Sequence, residues 1–405
     1  MQRPKGSGGS GELDRRDFLK VAGAGLAIGG FTSSADFKEL PKLEYRIHAP
    51  KPAPEGGGLP GKFPGRVVEV FHSKAIIDDR VSQSAIRTML ERGMKELTGA
   101  PTAVDAWRMF FSPDDVVAIK VNPSGVLGTT TSPELVHEVI RGLELAGVKP
   151  ENMVVFDRFP WQLMVSSYHG YLPPGVRLIG TADVLVAGGQ AVGHDPEIFF
   201  ETTCFSELET RSYLSTVVSR MATKIVNLPC LKEHGASGVT GCLKNIAYGS
   251  FTNVARTHTG TDEIRGISGP PYCYLDPIIP LMCSIEPLRS KLVLNIMDGL
   301  RGVWHGGPFA PSADFIWEAK TLYLGTDAVA MDTIELEALE RKRREKGAPS
   351  LWARDPSQIT SRSERDKDPT KNDYYRATGH VRTAGQMGLG VWEPSHISHR
   401  KIEAG

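Results

Sequence analysis

The segment from Asn227 to Asn245 gathers Lys232, His234, Lys244 and Asn245 with several hydroxyls and the glycines Gly235, Gly238 and Gly241. An apolar strand pattern leads into Pro229, and a helical pattern follows Gly241. Glycine allows the backbone to approach a ligand closely. The first N–H groups of a helix have no partner within it, so a strand–loop–helix corner suits an anion. Lys232 and Lys244 would neutralise a phosphate or carboxylate. His234, whose imidazole titrates near working pH, would serve as general acid or base. These three form the candidate catalytic set. The segment is not a Walker loop, because the glycine spacing differs and neither Ser nor Thr follows Lys244. Taken singly, each lysine reads as a surface charge and His234 as a satisfied loop residue; taken together they read as a site.

Two further groups follow apolar runs. Lys120 and Asn122 stand in Lys120-Val-Asn-Pro-Ser-Gly125, just past a short buried strand. In open parallel sheets ligands gather at the carboxyl ends of the strands, so these two are expected to share a pocket with the first segment. Asp298 opens a glycine-rich stretch reaching Pro308. It reads as a cation ligand, as a partner that orients a lysine, or as an acceptor for its own turn. Arg256 and His258 add polar groups. The candidate ligand-binding residues are therefore Lys120, Asn122, Asn245, Asp298, Arg256 and His258. Lys120, Asn122, Lys232, His234, Lys244 and Asn245 are expected to converge on one pocket. Converging lysines repel, so either an anion or Asp298 is expected among them.

The elements that must position these groups alternate. Val67–Phe71, Val116–Val121, Met153–Phe156, Lys224–Leu228, Lys291–Met297 and Thr321–Leu324 read as strands. Val81–Leu97, Pro133–Ala146 after a capping Ser132, and a segment from about Asp327 to Lys346 have apolar residues at helical spacing. Strands separated by helices predict an α/β fold, a largely parallel sheet with helices on both faces. The expected organisation is a signal segment at 1–35, a Pro/Gly-rich linker or arm at 36–64 and an α/β core at 65–335. A charged C-terminal extension at 336–405 is expected to pack on the core. Its alternating charges up to about Asp373 read as a solvated excursion, not a binding patch.

The 405 residues carry 47 Lys plus Arg against 47 Asp plus Glu, a balance that argues against nucleic acid as a partner. Cys204, Cys230, Cys242, Cys273 and Cys283 are too few and too scattered for a disulfide framework, and none forms a C-x-x-C pair. Buried free thiols are the expectation. At the N-terminus, Arg15-Arg16-Asp-Phe-Leu-Lys20 precedes the apolar run Val21–Phe31 and the small residues Ser33 to Ala35. The order matches a twin-arginine signal with cleavage before Asp36. The apolar run is too short to cross a bilayer core of roughly 30 Å. The twin-arginine translocation machinery is thus the expected partner and the periplasm the expected location, with no stable membrane span in the mature form.

Several motifs together resemble a known family. They are Lys120-x-Asn122; Asn227-Leu-Pro-x-Leu-Lys-x-His234; Val239-Thr-Gly-x-Leu-Lys-Asn245; Met297-Asp-Gly299; and Gly325-Thr-Asp-x-Val-Ala-Met-Asp332. The pattern is similar to the domain-of-unknown-function family 362 over roughly residues 65–335, and Gly388-Leu-Gly390 also fits. The resemblance implies a shared site at Lys120, Asn122, Lys232, His234, Lys244, Asn245, Asp298, Asp327 and Asp332. Asp327 and Asp332 lie at a helix start, where capping is the alternative role for both and the preferred one for Asp327. Some relatives carry ferredoxin-type clusters on C-x-x-C-x-x-C runs; this chain has no such run, which argues against an iron–sulfur role here. Three functions compete: an enzyme or binding protein for a small anionic molecule, a metal-dependent or redox-associated protein using His234, His258 and Asp298, and a non-catalytic cell-envelope factor. The sequence names no cofactor and assigns no metal ligand to the preferred reading.

Overall fold

The computed structural model describes residues 43–51, 58–125, 128–181, 193–202, 210–254, 257, 275–352 and 378–405. In chain order the strands begin with β1 (Tyr45–His48), β2 (Arg66–Phe71), β3 (Ile76–Ile77), β4 (Arg80–Val81) and β5 (Val117–Lys120). They continue with β6 (Met153–Asp157), β7 (Arg177–Gly180), β8 (His194–Thr202), β9 (Arg211–Ser215) and β10 (Lys224–Asn227). The last are β11 (Cys230–His234), β12 (Gly238–Val239), β13 (Leu292–Val303), β14 (Ile316–Gly325) and β15 (Ser398–Glu403).

The main sheet runs β15-β2-β14-β13-β10-β5-β6-β7, with β11 beside the far end of β13 and β12 folded back on β11. Within the β15-to-β7 order, only β14 runs against its neighbours; the other pairs are parallel. Parallel neighbours need crossovers. The Pro133–Ala146 helix joins β5 to β6, and the Pro160–Val165 helix joins β6 to β7. Side chains alternate between two cores, as the pleat requires. Val117 and Ile119 of β5 enter a core with the Gln83–Thr98 and Pro133–Ala146 helices. Ala118 enters the opposite core, with the Gly241–Tyr248, Leu275–Cys283 and Ala328–Glu345 helices. The fold is α/β, a mostly parallel sheet covered on both faces.

Several expectations are corrected in detail. The stretch after Pro229 is not a loop: Lys232 and His234 sit on β11, which pairs with β12 in a hairpin. Leu228-Pro229 breaks the strand line because proline has no N–H to donate. Its carbonyl instead accepts the N–H of Asp298 at 2.8 Å. The Met-Asp-Gly motif likewise lies inside a strand, because β13 runs on to Val303. Its register shifts between Gly299 and Arg301, and the Asp298 carboxylate accepts the Leu300 N–H at 3.0 Å across that irregularity. The first helix starts at Gln83, not Val81: the Ser82 hydroxyl caps it, while Val81 is held in β4.

At the other end of the chain, the Ala328–Glu345 helix runs across residue 335, and β15 pairs in parallel with β2 at the sheet edge. Within the 36–64 stretch, Tyr45–His48 forms a strand against β8, which pairs with β9 in a separate three-stranded antiparallel sheet. The signal segment 1–35 lies outside the described residues, as do Cys204, Cys273 and most of the charged stretch before Asp373. Among the described residues, no helix is long and apolar enough to cross a membrane.

Candidate functional site

A row of polar residues crosses the sheet at the carboxyl ends of β5 and β10 and at the fourth residue of β13. Lys120 of β5 is in register with Asn227 of β10, and Asn227 with Asn295 of β13. Each occupies the pleat position that faces the Gly241–Tyr248 helix, which contributes Asn245. A polar layer in this position must satisfy its own hydrogen bonds, because sheet and helix exclude water.

It does so as a continuous chain. The Asn245 side-chain oxygen accepts from Lys120 Nζ at 3.2 Å and from Asn122 Nδ2 at 2.9 Å. Asn245 Nδ2 donates to Asn227 Oδ1 at 2.7 Å, Asn227 Nδ2 to Asn295 Oδ1 at 2.9 Å, and Asn295 Nδ2 to the Thr326 carbonyl at 3.2 Å. On the other side, Asn122 Oδ1 accepts from Lys232 Nζ at 2.7 Å. Four of the predicted site residues, Lys120, Asn122, Lys232 and Asn245, are thus joined directly.

The two lysines differ in their counter-charges. Lys120 is 1% exposed and Lys232 0%. Lys120 Nζ lies 2.5 Å from Asp157 Oδ1 and also donates to the Val121 carbonyl at 2.6 Å. Gly249 packs so closely that a Cβ there would sit 2.0 Å from Lys120 Cε. Lys232 Nζ has Asn122 Oδ1 and the Ser124 carbonyl as acceptors, both neutral. Burial depresses both amines; Asp157 is the main pull back up on Lys120, whereas Cys230, Glu335 and Asp157 pull on Lys232.

His234 and Lys244 form a second contact beside this chain. His234 Nδ1 accepts the N–H groups of Ala236 at 3.0 Å and Ser237 at 3.3 Å. A neutral ring therefore carries its proton on Nε2, which faces Lys244 Nζ at 3.2 Å. Lys244 Nζ also stands 4.7 Å above the Tyr248 ring. Arg256 and His258 lie outside the described residues.

Of the aspartates, Asp327 caps its own helix as expected, whereas Asp332 acts on a different helix. The anion seat at the start of the Gly241–Tyr248 helix is already filled by the protein. Asp332 accepts the Cys242 N–H at 2.5 Å and the Leu243 N–H at 3.0 Å. Gly241, at φ 54°, leaves no room for a side chain against that carboxylate. Asp327 caps its own helix through Val329 and Ala330. Its other oxygen takes the N–H groups of Gly65 and Val391, tying both flanking segments to the core.

Asp298 is not hydrogen-bonded to the lysines: it holds the N–H and hydroxyl of Ser132, each at 2.7 Å. Ser132 therefore does not cap with its own side chain. Burial raises Asp298 and Asp327, and it raises Asp332 to about 7. The carboxylate that compensates a site lysine is Asp157, which the sequence reading passed over, together with Asn227, Asn295 and Glu335. One signal was available: Asn122, Asn227 and Asn295 each follow an apolar run, Asn295 inside its strand, where an apolar residue would be expected.

Cys230 is not poised as a thiolate. Burial pushes its thiol up to about 12, and Cys230, Cys242 and Cys283 are buried free thiols. Among the described residues, no three His, Cys, Asp or Glu side chains gather to hold a metal. A cavity of about 560 Å³ is lined by Asp298, Arg301, Ser132, Glu134, Tyr171 and other residues of both charge signs, but by none of the four joined site residues.

No curated protein matches the chain. A solved protein from Thermotoga maritima, a structural genomics target, is similar at 13% identity and a TM-score of 0.37. The similarity covers 67% of this chain and 60% of that one, less than two thirds of its length. The family described as "Domain of unknown function (DUF362)" matches residues 117–337, which contain the whole Lys/Asn network and its capping aspartates. That span is more than half of the sequence, and the chain belongs to the DUF362 family.

Proposed function

We propose that the protein binds a small anionic molecule, bearing phosphate or carboxylate, at the carboxyl edge of the sheet. In this reading Lys232, His234 and Lys244 meet the ligand. Asn122 and Asn245 orient the cations, and Lys120 with Asp157 forms the buried base of the site. One observation carries the reading: Lys232 is fully buried, yet its Nζ acceptors among the described residues are an amide and a carbonyl oxygen. A buried amine without an anion is held neutral or destabilises the fold. An arriving anion replaces the Ser124 carbonyl, completes the missing charge and lets His234 exchange a proton with the bound group.

The test is calorimetric titration of the mature protein with inorganic phosphate and with citrate. Lys232 gains a proton as the anion binds, so binding takes up protons from buffer and weakens as pH rises past the depressed range of that amine. Absence of binding to either probe, or binding that takes up no proton, counts against the reading. Export in the folded state belongs to the same proposal and rests on residues 14–35 alone. Replacing Arg15 and Arg16 together by lysine is expected to retain precursor in the cytoplasm, because the motif needs guanidinium geometry and not charge alone. Mature protein reaching the periplasm in that variant, or a mature N-terminus far from Asp36, would count against it.

A further inference from the structure

The Ala328–Glu345 helix touches both elements that carry the candidate site, and it does so through carboxyl groups. Asp332 holds the first N–H groups of the helix bearing Lys244 and Asn245. Glu335 Oε1 accepts the backbone N–H of Lys232 at 2.9 Å, fixing the strand that bears Lys232 and His234. The two carboxyl groups are three residues apart on one helix, so they share a face. Both are buried, at 0% and 1% exposure.

Their oxygens are not equivalent. Both Asp332 oxygens receive N–H donors, which favours its anion. Glu335 Oε2 is buried with no hydrogen-bond partner among the described residues. Two adjacent buried carboxylates cannot both ionise cheaply, and the oxygen that lacks a donor is the natural seat of a proton.

We infer that Asp332 and Glu335 are a positioning pair that carries a single proton, on Glu335 Oε2, and holds the Lys232–His234 strand and the Lys244–Asn245 helix in register with each other. The inference rests on the anion-binding reading for its functional consequence, but not for the location of the proton.

Other groups facing the pair do not supply a rival charge. Among the described residues they are Cys242 and Cys283 from the helices, Cys230 from β11, Tyr323 from β14 and Asp327 at the helix start, together with the Lys232 amine. Burial raises all three thiols and the Tyr323 phenol, so they stay neutral at working pH. Burial first, then the Asp332 charge, raises Glu335 well above the ordinary carboxylate range. An acid raised in the folded state stabilises the protein at low pH, and that stability is lost as pH rises through the folded value.

The experiment uses the mature full-length protein with Glu335→Gln, which mimics the protonated acid, and Glu335→Ala, which removes the acceptor for Lys232. Infrared difference spectra at neutral pH are expected to show a protonated-carboxyl band in the wild type that is missing in Glu335→Gln. The alkaline decline in melting temperature should be smaller in that variant. Glu335→Gln should bind inorganic phosphate within about twofold of wild type, whereas Glu335→Ala should lose roughly tenfold. A wild type without the band, a Glu335→Gln variant with an unchanged alkaline decline, or equal phosphate affinity in the two variants would overturn the inference. If the wild type binds neither phosphate nor citrate, the anion-binding reading fails, while the band and the melting profile still decide where the proton is.

Discussion

Lys120 and Lys232 are both buried and join one hydrogen-bonded network through different asparagines, Lys120 at Asn245 and Lys232 at Asn122. Lys120 has Asp157 at 2.5 Å and a glycine pressed against its side chain. Lys232 has neutral oxygens at its amine and a backbone tie to Glu335. The first arrangement is complete within the protein. In the second, among the described residues, no carboxylate is hydrogen-bonded to the amine. The difference separates a structural ion pair from a position that gains by binding an anion, although both residues look alike in sequence as a lysine at a strand.

The sharpest way to break this comparison is to remove the partner from the complete side. Asp157→Ala leaves Lys120 buried without its carboxylate, an expected loss of about 3–5 kcal/mol in urea unfolding. The double replacement Lys120→Met with Asp157→Leu should recover most of it, since exchanging both charges for apolar groups is far less costly than orphaning one. If Asp157→Ala is as stable as wild type, Lys120 does not depend on that ion pair. A smaller effect is expected at Gly249. Its substitution by alanine drives a methyl group into Lys120 and Asp157 and should cost about 1–3 kcal/mol by the same assay. An unchanged midpoint would show that the ion pair moves aside freely.

The strand and helix cores were legible because their residues form short apolar runs or recur at 3.6-residue spacing, as in Val117–Lys120 and Pro133–Ala146. Lys120, Asn122, Lys232 and Asn245 were legible as a group because each follows an apolar run or lies in the segment after it. Their burial beneath a helix was not. The β11–β12 hairpin is short and glycine-rich, and its identity comes from pairing with β13, a long-range contact that leaves no local periodicity. Asp332 was read as a site residue or a cap at the start of its own helix, but it closes the end of another helix ninety residues earlier in the chain, and sequence spacing carries no trace of that contact. Asp157 was missed for a related reason: an acid at the end of an apolar strand looks like the start of a turn until the facing lysine is seen.

The smallest expected effect on stability carries the most information about function. Lys232→Met removes an amine that has no ion-pair partner among the described residues, so the folded state should be as stable as wild type or slightly more so. The decisive measurement is calorimetric titration of this variant and the wild type with inorganic phosphate and citrate at neutral pH. The anion-binding account predicts that the wild type binds at least one of the two and that Lys232→Met, still folded, loses roughly tenfold or more in affinity. Equal affinity in the two proteins would contradict the account and leave Lys232, like Lys120, a structural residue.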